Sequence, residues 1–275
     1  MSNPKYKLLV LTDLSKSATK ALDNAINLAK IINGSIDVFH VLKPSDIAEY
    51  ENQYSAMRTI DEERYKTKQK LRTLVREISK RENIKMNASF RLGNLKNEVL
   101  DEIESVKPDI IVLGKRPPRF FGFLGDSFTK FILKKFNGSV LISGKNNTIN
   151  AVEAMSLGLL NTTTADLPQG ITTDLRRSIK NPIKQFHVRT ETEKNTKKVA
   201  SKTENVITYE FESNSSTMDN IATYVAKNNI GLLCVNQQSK TNSRFKNLRT
   251  NIKEAIHKIN VPILIVKNSS TIQLQ

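Results

Sequence analysis

Apolar positions along the chain come in short runs and helical stripes that alternate in order. Tyr6 to Thr12 (YKLLVLT) is a nearly continuous apolar run, as expected of a strand buried on both faces. Asp13 and Ser15 follow as turn and N-cap residues. Ala18, Leu22, Ala25, Ile26, Leu28 and Ala29 then recur at helical spacing until Asn33-Gly34 closes the helix. Ser35 to Leu42 (SIDVFHVL) predicts a second strand. Residues 44 to 82 predict a loose entry and then one charged helix from about Met57, with a narrow stripe of Ile60, Leu71, Leu74, Val75 and Ile78. Ile84 to Leu92 reads as a third strand, and Gly93-Asn94 turns into a helix carrying Val99, Leu100, Ile103 and Val106 on one face. Lys107-Pro108-Asp109 breaks that helix before a fourth strand, Ile110 to Leu113, which runs into Gly114. Phe128, Phe131, Ile132 and Phe136 mark the buried face of a helix that starts near Gly125 or Asp126, and Val140-Leu141-Ile142 is a fifth strand.

Strand and helix alternating in this way predict an α/β fold, an open parallel sheet with helices on both faces. In the order 3-2-1-4-5 the connections diverge between strands one and four. Ligands of open α/β sheets bind at that divergence, outside the strand carboxyl ends. Asp13 and Gly114 close those two strands and are expected to face one crevice.

After a polar linker, Gly144 to Thr148, the same plan repeats in worn form. Ala154 to Leu160 takes the place of strand one and ends at Asn161 where the first half has Asp13. Phe186-His187-Val188 echoes Phe39-His40-Val41, and Val206 to Phe211 alternates as a third strand should. Met218 to Asn229 is a helix, Asn229 to Val235 a fourth strand, Leu248 to Ile259 a helix and Val261 to Val266 a last strand. Thr162 to Gly170 holds Pro168 and Gly170 and makes a poor first helix. No glycine stands where Gly114 stands. The expectation is two tandem Rossmann-like domains, residues 1–145 and 149–275, packed as an internal pseudo-dimer with a degenerate second copy acting as structural partner.

Composition narrows the function. The net charge is +16, with a pI near 9.8, which suits a polyanion. The basic residues are dispersed, which argues against a dedicated nucleic-acid partner. The lone Cys234 lies in an apolar run and reads as a buried, inert thiol. No stretch reaches the roughly 20 apolar residues of a membrane span. The opening MSNPKYKLLV has no signal-type apolar core, so a cytoplasmic protein is expected. His40, His187 and His257 form no metal-ligand spacing, and no G-x-S-x-G elbow accompanies Ser15 or Ser17, so no catalytic role or metal is assigned.

Leu8 to Ser15 (LLVLTDLS), Phe39-His40-Val41, Gly93 to Leu100, Pro108 to Gly114 (PDIIVLG) and Gly138 to Ser143 together resemble the universal stress proteins over residues 5 to 145. The resemblance implies a non-catalytic stress-response protein that binds ATP or another adenine nucleotide, with the adenine near Asp13 and Val41. It implies a phosphate loop patterned G-x2-G-x9-G-[ST]. The site so implied is Thr12, Asp13, Val41, Gly114, Lys115, Gly125 and Ser127. The loop departs from the pattern. Pro117 stands where the second glycine belongs, Gly125 follows Gly114 at a shortened interval, and Asp126 replaces Ser or Thr. Proline removes an N–H donor and fixes φ, so the phosphate cradle is expected to be remodelled.

Two readings therefore stand. One is a nucleotide-binding regulatory protein with at most one site, in the first half. The other is a module that binds a polyanion, a membrane surface or a partner protein through the basic, phenylalanine-rich loop 115–124 (Lys115, Arg116, Arg119, Phe120, Phe121, Phe123) and takes no nucleotide. A homodimer and an unidentified protein partner are compatible with both.

Overall fold

The structure, a computed structural model, describes residues 3–43, 53–115, 124–144, 149, 156–189, 205–237 and 248–267. The chain divides into two compact units, Met1–Lys134 and Lys135–Gln275.

The first unit runs β1 (Tyr6–Thr12), α1 (Lys16–Ile32), β2 (Gly34–Leu42), α2 (Gln53–Glu82), β3 (Met86–Leu92), α3 (Leu95–Val106), β4 (Ile110–Leu113) and α4 (Leu124–Lys135), whose last residue crosses the division. Its strands lie in the order β3-β2-β1-β4, all parallel; Leu8 is opposite Ile36 on one side and Ile110 on the other. The central strands are apolar because helices cover both faces: Leu8, Leu9, Val10, Ile110, Ile111 and Val112 are fully buried.

Local sequence explains the boundaries. Ser15 caps α1, its Oγ accepting the Ala18 N–H at 3.3 Å. Asn33 ends α1 in the left-handed region (φ 55), and Gly34 opens β2 where a Cβ would press within 2.7 Å of Leu8 Cδ1. Asn94 caps α3 by accepting the Lys96 and Asn97 N–H groups. α2 begins at Gln53, earlier than the periodicity suggested, and only Leu71, Val75 and Ile78 of its stripe are buried. Met57 and Tyr65 in its N-terminal half are exposed.

The second unit runs β5 (Ser139–Ile142), β6 (Ser156–Leu160), α5 (Ile171–Ser178), β7 (Ile183–Arg189), β8 (Val206–Glu212), α6 (Thr217–Lys227), β9 (Ile230–Asn236), α7 (Leu248–Lys258) and β10 (Ile263–Val266). Five of its strands are parallel in the order β8-β7-β6-β9-β10, the 3-2-1-4-5 plan repeated. β5, the fifth strand of the first repeat in chain order, adds antiparallel to β10, with Leu141 opposite Leu264. Both are four-residue apolar strands (SVLI and ILIV) that are fully buried, a composition unsuited to an open edge. The poor helix foreseen at Thr162 to Gly170 is absent; α5 starts only after Gly170 and is short. Cys234 is buried in β9, and burial pushes its thiol up to about 12.

Candidate functional site

β1 ends in a tight, polar turn. Thr12 Oγ1 accepts the Leu14 N–H at 3.0 Å, and Asp13 Oδ1 accepts the Ser15 N–H at 3.1 Å. Ser15 and Ser17 share a hydroxyl–hydroxyl hydrogen bond of 3.0 Å. Leu14, between Asp13 and Ser15, adopts φ 60, a left-handed conformation that costs a non-glycine residue roughly 1–2 kcal/mol. Such strain persists only where neighbours over-determine it, and it clusters at functional sites. Here the Thr12 and Asp13 side chains hold the turn from both sides.

β4 delivers the second half of the crevice. A Cβ on Gly114 would lie 3.0 Å from Ser17 O, 3.2 Å from Ser17 C and 3.4 Å from Ala18 N. The end of β4 therefore rests directly on the first turn of α1, and no side chain separates them. That contact brings Gly114 and the Asp13–Ser17 turn together. The two ends meet at the switch point that the strand order requires.

Of the other residues implied by the resemblance, Val41 is buried on β2, one position beyond the residue opposite Thr12. Lys115 follows Gly114 and is half-buried, while Gly125 and Ser127 lie in the first turn of α4 and Ser127 is exposed. Arg116, Pro117, Arg119, Phe120, Phe121 and Phe123 lie outside the described residues. Phe128 and Phe131 on α4 stack on each other with centroids 6.1 Å apart, and Lys96 Nζ sits 5.4 Å from the Phe131 ring centre. The predicted inward face of α4 is present, with Ile132 and Phe136 buried and the two stacked rings half-buried.

Sequence reasoning took His40 as a structural strand residue without giving it a partner. Its Nδ1 reaches the Thr12 carbonyl at 2.8 Å, and its ring stacks on Phe90 at 5.8 Å. A carbonyl only accepts, so Nδ1 carries the proton. The register makes the pair legible in hindsight, since Thr12 and His40 are opposite each other at the end of the β1–β2 ladder.

The equivalent place in the second unit is built differently. Leu160 pairs with Phe186 and Val235 as Leu11 pairs with Phe39 and Leu113. By that register Asn161 stands for Thr12, Thr162 for Asp13, and Asn236 for Gly114. The sequence had aligned Asn161 with Asp13; the register moves it by one. Asn161 Oδ1 accepts the Val188 N–H at 2.9 Å. Asn236 is buried and donates from Nδ2 to Asp166 O at 2.8 Å, holding the β6–α5 loop against the strand end. A carboxylate and a bare backbone in the first unit are replaced by a threonine and a plugging amide.

A parallel α/β crevice of this order, with a strained turn after β1 and a glycine after β4, defines the class of fold. The universal stress protein family model matches residues 6–143, half of the chain, and the chain belongs to that family. Among solved structures it is similar to a universal stress protein from Archaeoglobus fulgidus DSM 4304, at 17% identity and a TM-score of 0.71. That match covers 97% of this chain and 98% of the other. It is similar to a protein of unknown function from Pseudomonas aeruginosa PAO1, at 12% identity and TM-score 0.58, over 96% and 92% of the two chains. A putative universal stress protein from Pseudomonas aeruginosa UCBPP-PA14 matches at 12% identity and TM-score 0.57, over 95% and 93%. At these identities the likeness is one of fold, and it extends over both repeats. No curated protein matches the chain by sequence.

Proposed function

We propose that this protein is a non-catalytic, cytoplasmic regulator of the universal stress type, built from repeats 1–145 and 149–275, with a single adenine-nucleotide site in the first repeat. Thr12, Asp13 and Val41 would hold the nucleoside. Gly114, Lys115 and the α4 N-terminus at Gly125 and Ser127 would face its phosphates. The observation that carries this reading is the close seating of Gly114 on Ser17–Ala18, which sets the end of β4 against the helix turn that follows Asp13. The nucleoside half fits this chain better than the phosphate half, because the loop has Pro117 and Asp126 where the pattern asks for glycine and a hydroxyl. Among the described residues no group of three or more His, Cys, Asp or Glu is placed to hold a metal ion. No helix among them is long and apolar enough to cross a membrane.

Isothermal titration with ATP, ADP and AMP tests the site. Binding is expected for at least one of them, weakened at least tenfold by Asp13→Ala. Binding that survives Asp13→Ala overturns the site. Absence of binding by all three, together with salt-sensitive binding to anionic vesicles or RNA lost in Arg116→Glu plus Arg119→Glu, favours the polyanion module that the +16 charge supports.

A further inference from the structure

Among the described residues β8 ends the second unit's sheet, bonded to β7 on one side only. Its ladder with β7 is unbroken from Ile183↔Val206 to Arg189↔Glu212. Ile183 N donates to Asn205 O, and Ser213 N donates to Arg189 O. In a parallel ladder those two bonds fix the phase: the odd-numbered residues from 205 to 213 spend their backbone groups on β7. The N–H and C=O of Val206, Thr208, Glu210 and Glu212 therefore point away from β7, along the outer edge of the strand. Val206–Glu212 (VITYEFE) holds no proline, no lysine and no bulge, and its charges are confined to Glu210 and Glu212.

The side chains of alternate residues complete the picture. Phe186 on β7 contacts Tyr209 and Phe211 at 5.9 and 6.3 Å, and Tyr224 of α6 closes on Tyr209 at 4.5 Å. Ile207 lies on the same face as Tyr209 and Phe211 yet is 43% exposed, one of three large exposed apolar side chains among the described residues. The aromatic layer stops at the edge with an apolar residue uncovered.

We infer that β8 pairs with β8 of a second copy, antiparallel, about a two-fold axis through Tyr209. In that register Val206 faces Glu212 and Thr208 faces Glu210, and every outward N–H and C=O of the strand is satisfied. Ile207 lies opposite Phe211 and Tyr209 opposite Tyr209, so the aromatic layer continues across the join. A register centred on Glu210 or Phe211 sets glutamate against glutamate; one centred on Thr208 leaves Glu212 beyond the pairing. The strand is complementary to itself in one register, which is what an isologous interface requires. Glu210 is also held by Arg189 at 2.8 Å, which lowers the cost of bringing two acidic strands together.

Sedimentation equilibrium of the full chain across the micromolar range tests the interface. A reversible dimer is expected, and Thr208→Pro and Ile207→Lys should each yield monomer with an unchanged circular dichroism spectrum. Thr208 suits proline because its N–H takes no part in the β7 ladder. Mixed Thr208→Cys and Glu210→Cys chains should form a disulfide-linked pair well in excess of either alone. A chain that stays monomeric throughout overturns the inference. So does a dimer indifferent to Thr208→Pro, whatever segment or partner then proves to cover the edge.

Discussion

His40 reaches across the β1–β2 ladder to the carbonyl of Thr12, 2.8 Å away, and so pins the last residue of β1 before the chain turns at Asp13. The bond fixes the direction in which the chain leaves the sheet, and with it the turn that seats Gly114.

Replacing His40 with phenylalanine keeps a ring against Phe90 and removes the donor. The Thr12 carbonyl then loses a partner in a part-buried place, at a cost of about 1 kcal/mol. Urea unfolding should show a lower midpoint with an unchanged slope. Nucleotide affinity should fall in the same variant, because the strand end that carries Asp13 is no longer pinned at Thr12.

Gly114→Ala and Asn236→Ala test the two crevices separately. The first puts a methyl group 3.0 Å from the Ser17 carbonyl, where backbone must yield, at about 1–3 kcal/mol. The second removes the amide that holds Asp166 O and should cost a similar amount, about 1–3 kcal/mol. Only Gly114→Ala should reduce nucleotide binding. Equal loss in both would mean that the second crevice takes part.

How far the sequence reaches depends on what kind of residue carries each feature. β1, β4 and β9 announce themselves because burial on both faces leaves nothing polar in the run. Ser15, Asn33 and Asn94 announce the helix ends because their side chains cap or tolerate the left-handed turn. Leu14 gave no sign of its conformation, since leucine is not a left-handed residue and only its neighbours force it there. The antiparallel addition of β5 to β10 was equally hidden: a short apolar strand states that it is buried and not which sheet receives it. The alignment of Asn161 with Asp13 slipped by one because a strand's end in sequence is set by composition, whereas its register is set by partners.

Cys234 provides a check on the second unit's core. With its thiol pushed up to about 12 by burial, it should not react with a soluble disulfide reagent at neutral or mildly alkaline pH. Full reaction should appear only in denaturant. Rapid labelling of the folded chain would show that β9 opens far more readily than a fully buried central strand should.

Tyr224 gives a pH dependence with a definite sign. Burial, then its hydrogen bond to Tyr209 and that residue's own charge, raise it from 10.0 to about 12. The folded state thus prefers the neutral phenol, which contributes its full stability below pH 10. That contribution is lost as pH rises from about 10 towards 12. Ultraviolet titration should show one late tyrosine that disappears in Tyr224→Phe. The same substitution should flatten the alkaline fall in melting temperature over that window.

The departures of residues 114–127 from the family's phosphate-loop pattern lead to the last expectation. A phosphate cradle works through backbone N–H groups converging on the anion, and each added phosphate then tightens binding. In this chain proline occupies one of those positions and Asp126 adds a negative charge beside the α4 N-terminus. Coulomb repulsion between Asp126 and a γ-phosphate offsets what the helix dipole contributes. Binding energy should therefore come from the nucleoside, and AMP, ADP and ATP should bind within about tenfold of one another, a spread of about 1.4 kcal/mol. Asp126→Ser should restore a preference for ATP and leave AMP unchanged. If the native chain already prefers ATP by much more than tenfold, the cradle functions despite Pro117, and Lys115 would be the first residue to replace in finding out how.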